Sequence, residues 1–592
     1  MGTGGVIWAT GVSGTNGQLL NNMISSYWIQ VLFGKLSVSL CSVLYTVMGE
    51  LKEYTIPGML RNSFVKYGTR QALLFAGEEN RTYTRLEQEI NFLAAQLRTA
   101  GIVKGDKVVI LSTNMPNWAI AFFASIICGA IAVPILPDFS PVEISNIILH
   151  SESKVVFVSE NLQSKIKQFI DTSSMLIIRV ENFEKISGPG IIKWSTKPKK
   201  FTSIPVHEDD LASIIYTSGT TGKSKGVMLT HKNIVWDAEH GGLIQQVSIN
   251  DRFLSLLPLS HSYENTLGLI LPVMYGASIH YLRKLPTPAV LIPVLQTVKP
   301  TVILSVPLII EKIYKKQIAP NFSKNLIIRT IYRLRPFRIL LNRLAGKRLM
   351  KTFGGELFFF GIGGAKLDGK VEQFLREAKF PYCIGYGLTE TAPLIAGTSP
   401  EGSRLQTIGP AMPGVTLKIH QPNPVSGQGE IWIKGENVMK GYFKEPELTK
   451  EVLTADGWFK TGDLGFIDPK GYLAFKGRLK NMIVSASGEN IYPEEIESVI
   501  NNFRHVVESL VIERKGKLVA LVLLNMEELE SKFQAFRDQA ELYNEKLDEL
   551  LEELQVYVNL HVNKFSQVQL VLVQPEPFER TPTQKIKRFL YS

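Results

Sequence analysis

Cysteine is scarce in this chain. Cys41, Cys128 and Cys383 lie far apart among 592 residues. They suggest neither a disulfide framework nor a metal-ligand spacing, and they fit a reducing compartment. Each thiol is expected to be a small buried hydrophobe. No internal repeat stands out, which argues against a solenoid. A basic leader with a small-residue cleavage site is also missing, so a secretory signal is not expected. Basic residues are not interleaved with stacking aromatics and no nucleic-acid motif occurs, so nucleic acid is not an expected partner. A Walker A loop needs glycine five positions before Gly222, and Thr217 stands there; a P-loop ATPase fails on that spacing.

What is present is an ordinary globular composition, 45% hydrophobic and 20% charged, in a chain long enough for several domains. Net charge is +11. Basic residues cluster at Lys197-Pro-Lys-Lys200, at Lys312-Ile-Tyr-Lys-Lys316 and from Arg329 to Lys347-Arg348. A solvated helix face is the plain reading of such runs; attraction to anionic lipid, to CoA phosphates or to an acidic carrier protein is the functional one. Residues 1–24 are rich in Gly, Ser, Thr and Asn, and residues 27–48 are mostly apolar with Lys35 among them. The apolar stretch approaches the roughly 20 residues of a membrane helix. A membrane-contacting segment and a start at Met48 are equally open, and residues 1–50 are read as an extension.

From residue 82 strands and helices alternate. Thr82 offers a helix cap, and Leu86, Ile90, Leu93 and Leu97 recur at helical spacing. Apolar runs at Val108, Ala130, Val155, Phe253, Val302 and Leu357 read as buried strands, with an apolar helix between Trp118 and Cys128. Parallel α/β layers are expected. Short antiparallel strands follow at Gly429 and Gly471. Beyond Arg478 comes a compact α+β pattern with strands at 507–513 and 518–524 and a charged helical region at 526–556.

One segment carries most of the chemistry. Ile214 and Ile215 lead a strand into Tyr216-Thr-Ser-Gly-Thr-Thr-Gly-Lys-Ser-Lys-Gly226. Glycines let backbone N–H groups crowd an anion, hydroxyls add donors and lysines add charge, so this loop suits phosphate.

The same segment resembles the phosphate loop of the adenylate-forming superfamily of acyl-CoA synthetases, luciferase and peptide-synthetase adenylation domains. Tyr386-Gly-Leu-Thr-Glu-Thr391, Gly457-Trp-Phe-Lys-Thr-Gly-Asp-Leu-Gly465, Gly477-Arg-Leu-Lys-Asn-Met-Ile-Val, Gly488-Glu-Asn-Ile-Tyr-Pro and Thr581-Pro-Thr-Gln-Lys-Ile-Lys-Arg588 resemble its later signatures, in the family's order. The resemblance implies an α/β fold: a large N-terminal domain (51–479) of layered α/β subdomains with a small β-rich one, and a small mobile α+β domain (480–592) beyond a hinge at Lys480. It implies ATP, Mg2+ and coenzyme A as cofactors and substrates. Thr217, Ser218, Gly219, Thr220, Thr221, Gly222 and Lys225 match the phosphate loop. Thr217 and Glu390 match the magnesium side, with Thr389 beside them. Gly363, Gly364 and Ala365 match the adenine-pocket lining, and Tyr386 with Gly387 the adenine-packing segment. Asp463 matches the ribose carboxylate, Arg478 a second ribose or phosphate contact, and Lys585 the lysine that stabilises the adenylation transition state. Gly488 and Glu489 match the loop that meets the thiol acceptor's arm. Asn481 departs from the family, which often has Asp there.

Pro258-Leu-Ser-His-Ser-Tyr-Glu-Asn-Thr-Leu-Gly268 resembles the acyl-pocket segment of long-chain fatty acyl synthetases, which makes His261 and Tyr263 pocket candidates. The expected activity is therefore an ATP-dependent ligase that makes fatty acyl-AMP and passes the acyl group to CoA. Acyl carrier protein is the alternative acceptor, and a non-catalytic scaffold with this fold is the alternative from another class. The expected setting is cytoplasmic, with peripheral membrane contact open.

Overall fold

The computed structural model describes residues 53–591 apart from 79–80, 168–174, 189–200, 202–203, 219–223, 324–325, 485–489, 533–539 and 582–584. The N-terminal extension, Cys41, Gly219 to Gly222, Gly488 and Glu489 lie outside the described residues. Tyr54–Ser592 forms one compact unit.

Two parallel layers carry the body. One sheet runs edge to edge through Leu73–Phe75, Ser278–Tyr281, Arg252–Ser255, Val302–Ser305, Phe359–Ile362 and Tyr382–Ile384, with every pairing parallel. The other holds Lys107–Leu111 and Ile131–Ile135 side by side, with Ser153–Val158 and Leu176–Arg179 beyond. These strands are apolar on both faces because both faces are covered. Ile131–Ile135 is buried throughout. Its neighbour, the helix Pro116–Ile127, is apolar all round and almost wholly buried. Thr82 caps Tyr83–Thr99 by accepting from the Arg85 amide, and Leu86, Ile90, Leu93 and Leu97 are buried along it. Cys128 and Cys383 are buried thiols, as expected.

The second sheet ends in an antiparallel hairpin, Leu211–Ser218 with Ser224–Thr230, and the short strand Gly441–Tyr442 adds to its outer edge. Phe359–Ile362 and Tyr382–Ile384 pair in parallel, so the loops after them leave from the carboxyl end of the sheet, the usual place for a ligand in an open α/β sheet.

Four antiparallel strands follow: Thr416–His420, Gly429–Lys434, Phe459–Ile467 and Leu473–Arg478. The last starts two residues later than the Gly471 run suggests. Gly471 is spent on a turn at positive φ, its amide bonded to the Asp468 carbonyl. The turn Leu479–Asn481 holds the expected hinge residue Lys480. After it come the strands Val506–Arg514, Lys517–Leu524 and Leu570–Val573, which share a separate core around Ile496, Val522 and Leu554. Among the described residues, the charged region expected at 526–556 holds the helices Met526–Lys532 and Ala540–His561. Among the described residues no helix is long and apolar enough to cross a membrane.

Candidate active site

The register of one hairpin builds the first wall. Phe459–Ile467 pairs with Leu473–Arg478 so that Asp463 stands opposite Arg478. Arg478 Nε lies 3.4 Å from Asp463 Oδ1, and the Tyr386 hydroxyl donates to Asp463 Oδ2 at 2.8 Å. Asp463 is 2% exposed. Burial pushes its pKa up, while the Arg478 charge and the Tyr386 hydrogen bond pull it back. Glycine is required at 387, because a Cβ there would run into the Pro393 carbonyl of the paired strand.

The second wall forms where Gly441–Tyr442 joins the phosphate-loop hairpin. Tyr442 pairs with Val227, and its hydroxyl donates to Glu390 Oε1 at 2.9 Å. The Lys225 ammonium sits 5.0 Å from the centre of the same ring. Burial lowers the Lys225 pKa, and Lys480 lowers it further while Glu390 opposes. The Met439 amide donates to the Glu390 carbonyl, which fixes the backbone of that turn. Thr389 lies in it, with Ser262 Oγ 3.5 Å from its hydroxyl. Thr217 stands opposite Lys225 near the end of the incoming strand, and Ser218, its last residue, pairs with Ser224.

Lys585 stands between the walls. Its amide donates to the Thr581 hydroxyl and its carbonyl accepts from the Thr581 amide. Its side chain stays open to solvent although protein crowds it, as in a cleft. That crowding and the Arg478 charge lower its pKa to about 8, against the pull of Asp463 and Glu390. Lys585 in turn disfavours a proton on His261, whose pKa burial has already lowered to about 4. So Lys585, Arg478, Asp463, Glu390 and His261 share one field, and Lys225 with Lys480 joins it through Glu390.

Gly363 closes a strand end, its amide bonded to the Ser305 carbonyl, with Gly364 and Ala365 following. Tyr263 lies against Gly361 and Gly363; a Cβ on Gly363 would come 3.0 Å from the ring. The acyl-pocket segment thus packs directly on the adenine-pocket segment.

The roles of four residues in this region escaped the sequence, although Asn481 stood out there as a departure from the family. Tyr442 carries no signal that separates it from a core tyrosine. Asp237 is fully buried and accepts from the Leu394 amide and Asn437 Nδ2, which ties the helix His231–Gln245 to the segments carrying Tyr386 and Glu390. Burial raises its pKa. Glu264, buried next to Tyr263, accepts from Ser255 Oγ at 2.6 Å, and burial raises its pKa to about 8. Asn481 Nδ2 donates to Glu494 Oε1 at 2.6 Å, which an aspartate could not do.

Glu390 and Thr217 offer hard oxygens of the kind magnesium takes together with substrate phosphates and water. Among the described residues there is no group of three or more His, Cys, Asp or Glu that could hold a metal ion. A separate cleft of about 730 Å³ is lined by Phe75, Asn114 and Arg283 among others and by none of the candidate site residues.

The model of the family described as AMP-binding enzyme matches residues 60–443. A chloroplastic long-chain fatty acid–acyl-carrier-protein ligase of Arabidopsis thaliana is 30% identical over 90% of this chain and 84% of its own. A long-chain fatty acid–CoA ligase of Drosophila melanogaster is 29% identical over 80% of this chain and 76% of its own. Among solved structures, Bacillus subtilis o-succinylbenzoate CoA synthetase with its acyl-adenylate superposes with a TM-score of 0.72 at 24% identity, covering 90% of this chain and 98% of that one. ATP-bound MatB from Rhodopseudomonas palustris gives 0.71 at 24%, covering 90% and 97%. These two establish the fold.

Proposed function

This chain belongs to the AMP-binding enzyme family, and we propose that within it the protein joins a medium- or long-chain fatty acid to the thiol of coenzyme A, using ATP. The carboxylate oxygen attacks the α-phosphorus of ATP and expels pyrophosphate. The thiol then attacks the acyl carbonyl and expels AMP. One observation carries this reading: two walls, Asp463 with Tyr386 and Arg478, and Glu390 with Tyr442 and Lys225, hold oppositely charged groups around Lys585 in a single cleft.

The roles follow from chemistry. Asp463 offers acceptors to ribose hydroxyls, and burial keeps water from competing. Lys225 and the residue 217–222 loop receive phosphate. Lys585 places a cation where charge builds between carboxylate and phosphorus. Magnesium would supply Lewis-acid neutralisation of the phosphates, held by Glu390 and Thr217. Gly363, Gly364 and Ala365 would line the adenine, Tyr386 and Gly387 would flank it, and Gly488 and Glu489 would meet the acceptor's arm. His261 and Tyr263 would bound the acid. Residues 480–592 would turn about Lys480 between half-reactions. A cytoplasmic setting is part of the same proposal.

Acyl carrier protein is a second acceptor to weigh, because the Arabidopsis relative is named for that reaction and this chain carries a charge of +11. The test is pyrophosphate release over acids of graded chain length, followed by product analysis with CoA and with holo-carrier. Release with palmitate or laurate but not acetate, and acyl-CoA as product, are expected. Silence with every fatty acid overturns the proposal, and acyl transfer to the carrier alone moves it to the second acceptor.

A further inference from the structure

The helices Leu326–Arg333 and Arg335–Thr352 form a hairpin with two unlike sides. The inner side is tied to the body by polar contacts. Arg338 makes a two-pronged ion pair with Glu377, Asn342 donates to the same carboxylate at 2.8 Å, and the Tyr332 hydroxyl donates to Asn342 at 2.9 Å. Leu349 is buried there too.

The outer side presents apolar groups to solvent instead. Leu326, Ile327, Leu334, Phe337, Leu340 and Leu344 are between 49% and 77% exposed. Phe337, Leu340 and Leu344 fall at the three- and four-residue steps that make one helical stripe. Singly scattered exposed hydrophobes need no explanation, whereas six on two consecutive helices do. Arg329, Arg333, Arg335, Arg343, Lys347 and Arg348 are exposed among them. No aspartate or glutamate occurs between Leu326 and Thr352, and among the described residues none of these six cations is ion-paired.

We propose that this hairpin docks on an anionic lipid surface. Alkyl side chains beside guanidinium groups suit an interface where the former reach acyl chains and the latter headgroup phosphates. The charge complementarity is one-sided, with cations and no carboxylate, as negatively charged headgroups demand. The body holds the inner side fixed, so docking costs little ordering. If the proposed function is correct, the enzyme would stand where fatty acids partition, although docking does not depend on that reading.

The test is flotation of the full chain with phosphatidylcholine vesicles and with vesicles that also contain phosphatidylserine. Binding to the second kind and its loss on raising salt are expected. Replacing three cations together (Arg333→Gln, Arg343→Gln, Lys347→Gln) should lower partitioning about a hundred-fold. Replacing Phe337, Leu340 and Leu344 by Ser should release the protein to a similar degree. Both variants should keep the wild-type thermal midpoint and the wild-type pyrophosphate release from detergent-dispersed acid, since their side chains face away from the body. Vesicle binding unchanged in both variants, binding equal on neutral and anionic vesicles, or no vesicle binding at all would each overturn the inference. So would loss of holo-carrier binding with vesicle binding intact, which would assign the surface to a carrier protein. Vesicle binding by a chain that releases no pyrophosphate would leave this inference standing and remove the proposed function.

Discussion

The two sides of the candidate site are held in different ways. Around Asp463, Tyr386 and Glu390 the side chains are fixed by strand register and by buried hydrogen bonds that reach back to Asp237 and Asn437. Lys585, by contrast, belongs to the C-terminal region and is bonded through its backbone to Thr581. That region touches the body through contacts such as Lys476 with Glu495, the Lys315 ammonium with the Asn501 carbonyl and the Lys370 ammonium with the Asn502 carbonyl. The first side is preorganised, and the second is attached by a few polar contacts that water can replace at small cost. A site that must bind nucleotide and then admit a second substrate needs both kinds of wall.

The sharpest break in this contrast is Lys585→Ala. It should slow adenylation by roughly a hundred- to a thousand-fold, the scale of losing one charged transition-state contact. Thioester formation from supplied acyl-AMP should stay near wild type, and equal loss in both halves would contradict the assignment. The same lysine predicts a pH limb. With its pKa lowered to about 8, the cation fraction falls as pH rises through that value, and adenylation should fall with it. Lys585→Arg should move that limb to higher pH.

On the fixed wall, Asp237→Ala should cost about 2–4 kcal/mol of stability, because the buried Leu394 amide is left without its acceptor and Asn437 loses one of its two. Urea denaturation measures it. Here the loss should appear in stability before it appears in the nucleotide KM.

Glu264 gives a pH signature in stability instead of rate. Its folded pKa, about 8, lies above the unfolded value, so its neutral form is favoured in the fold. Its contribution is complete below the unfolded pKa and is lost as pH rises toward and through about 8. By linkage that is roughly 3–5 kcal/mol across the window. Glu264→Gln should flatten the stability profile there.

The smallest effect belongs to the attached side. Asn481→Asp would set a carboxylate against Glu494, a loss of about 0.5–1 kcal/mol in a partly exposed pair. The ratio of adenylation to thioester rate should shift by about two- to five-fold, measured with the half-reactions separated. An unchanged ratio would show that this contact does not set the balance between them.

Much of this was legible before the structure. Helical spacing placed Leu86 to Leu97 on one buried face, and β-branched runs placed the parallel strands, because burial imposes periods that a chain cannot hide. Motif order named Lys225, Glu390, Asp463 and Lys585. Asn481 was visible as a departure, but its donor role was not.

By itself, then, the chain determined its layers and its family, since both rest on local patterns of apolar and motif residues. Tertiary structure alone decided that Tyr442 meets Glu390, that Asp463 faces Arg478 and that Asp237 anchors two segments far from it in sequence. Those pairs are 15 to more than 150 positions apart in sequence. Only strand register and packing fix such distances, and the pKa of Lys585 or Glu264 follows from what lies around it rather than from its neighbours along the chain.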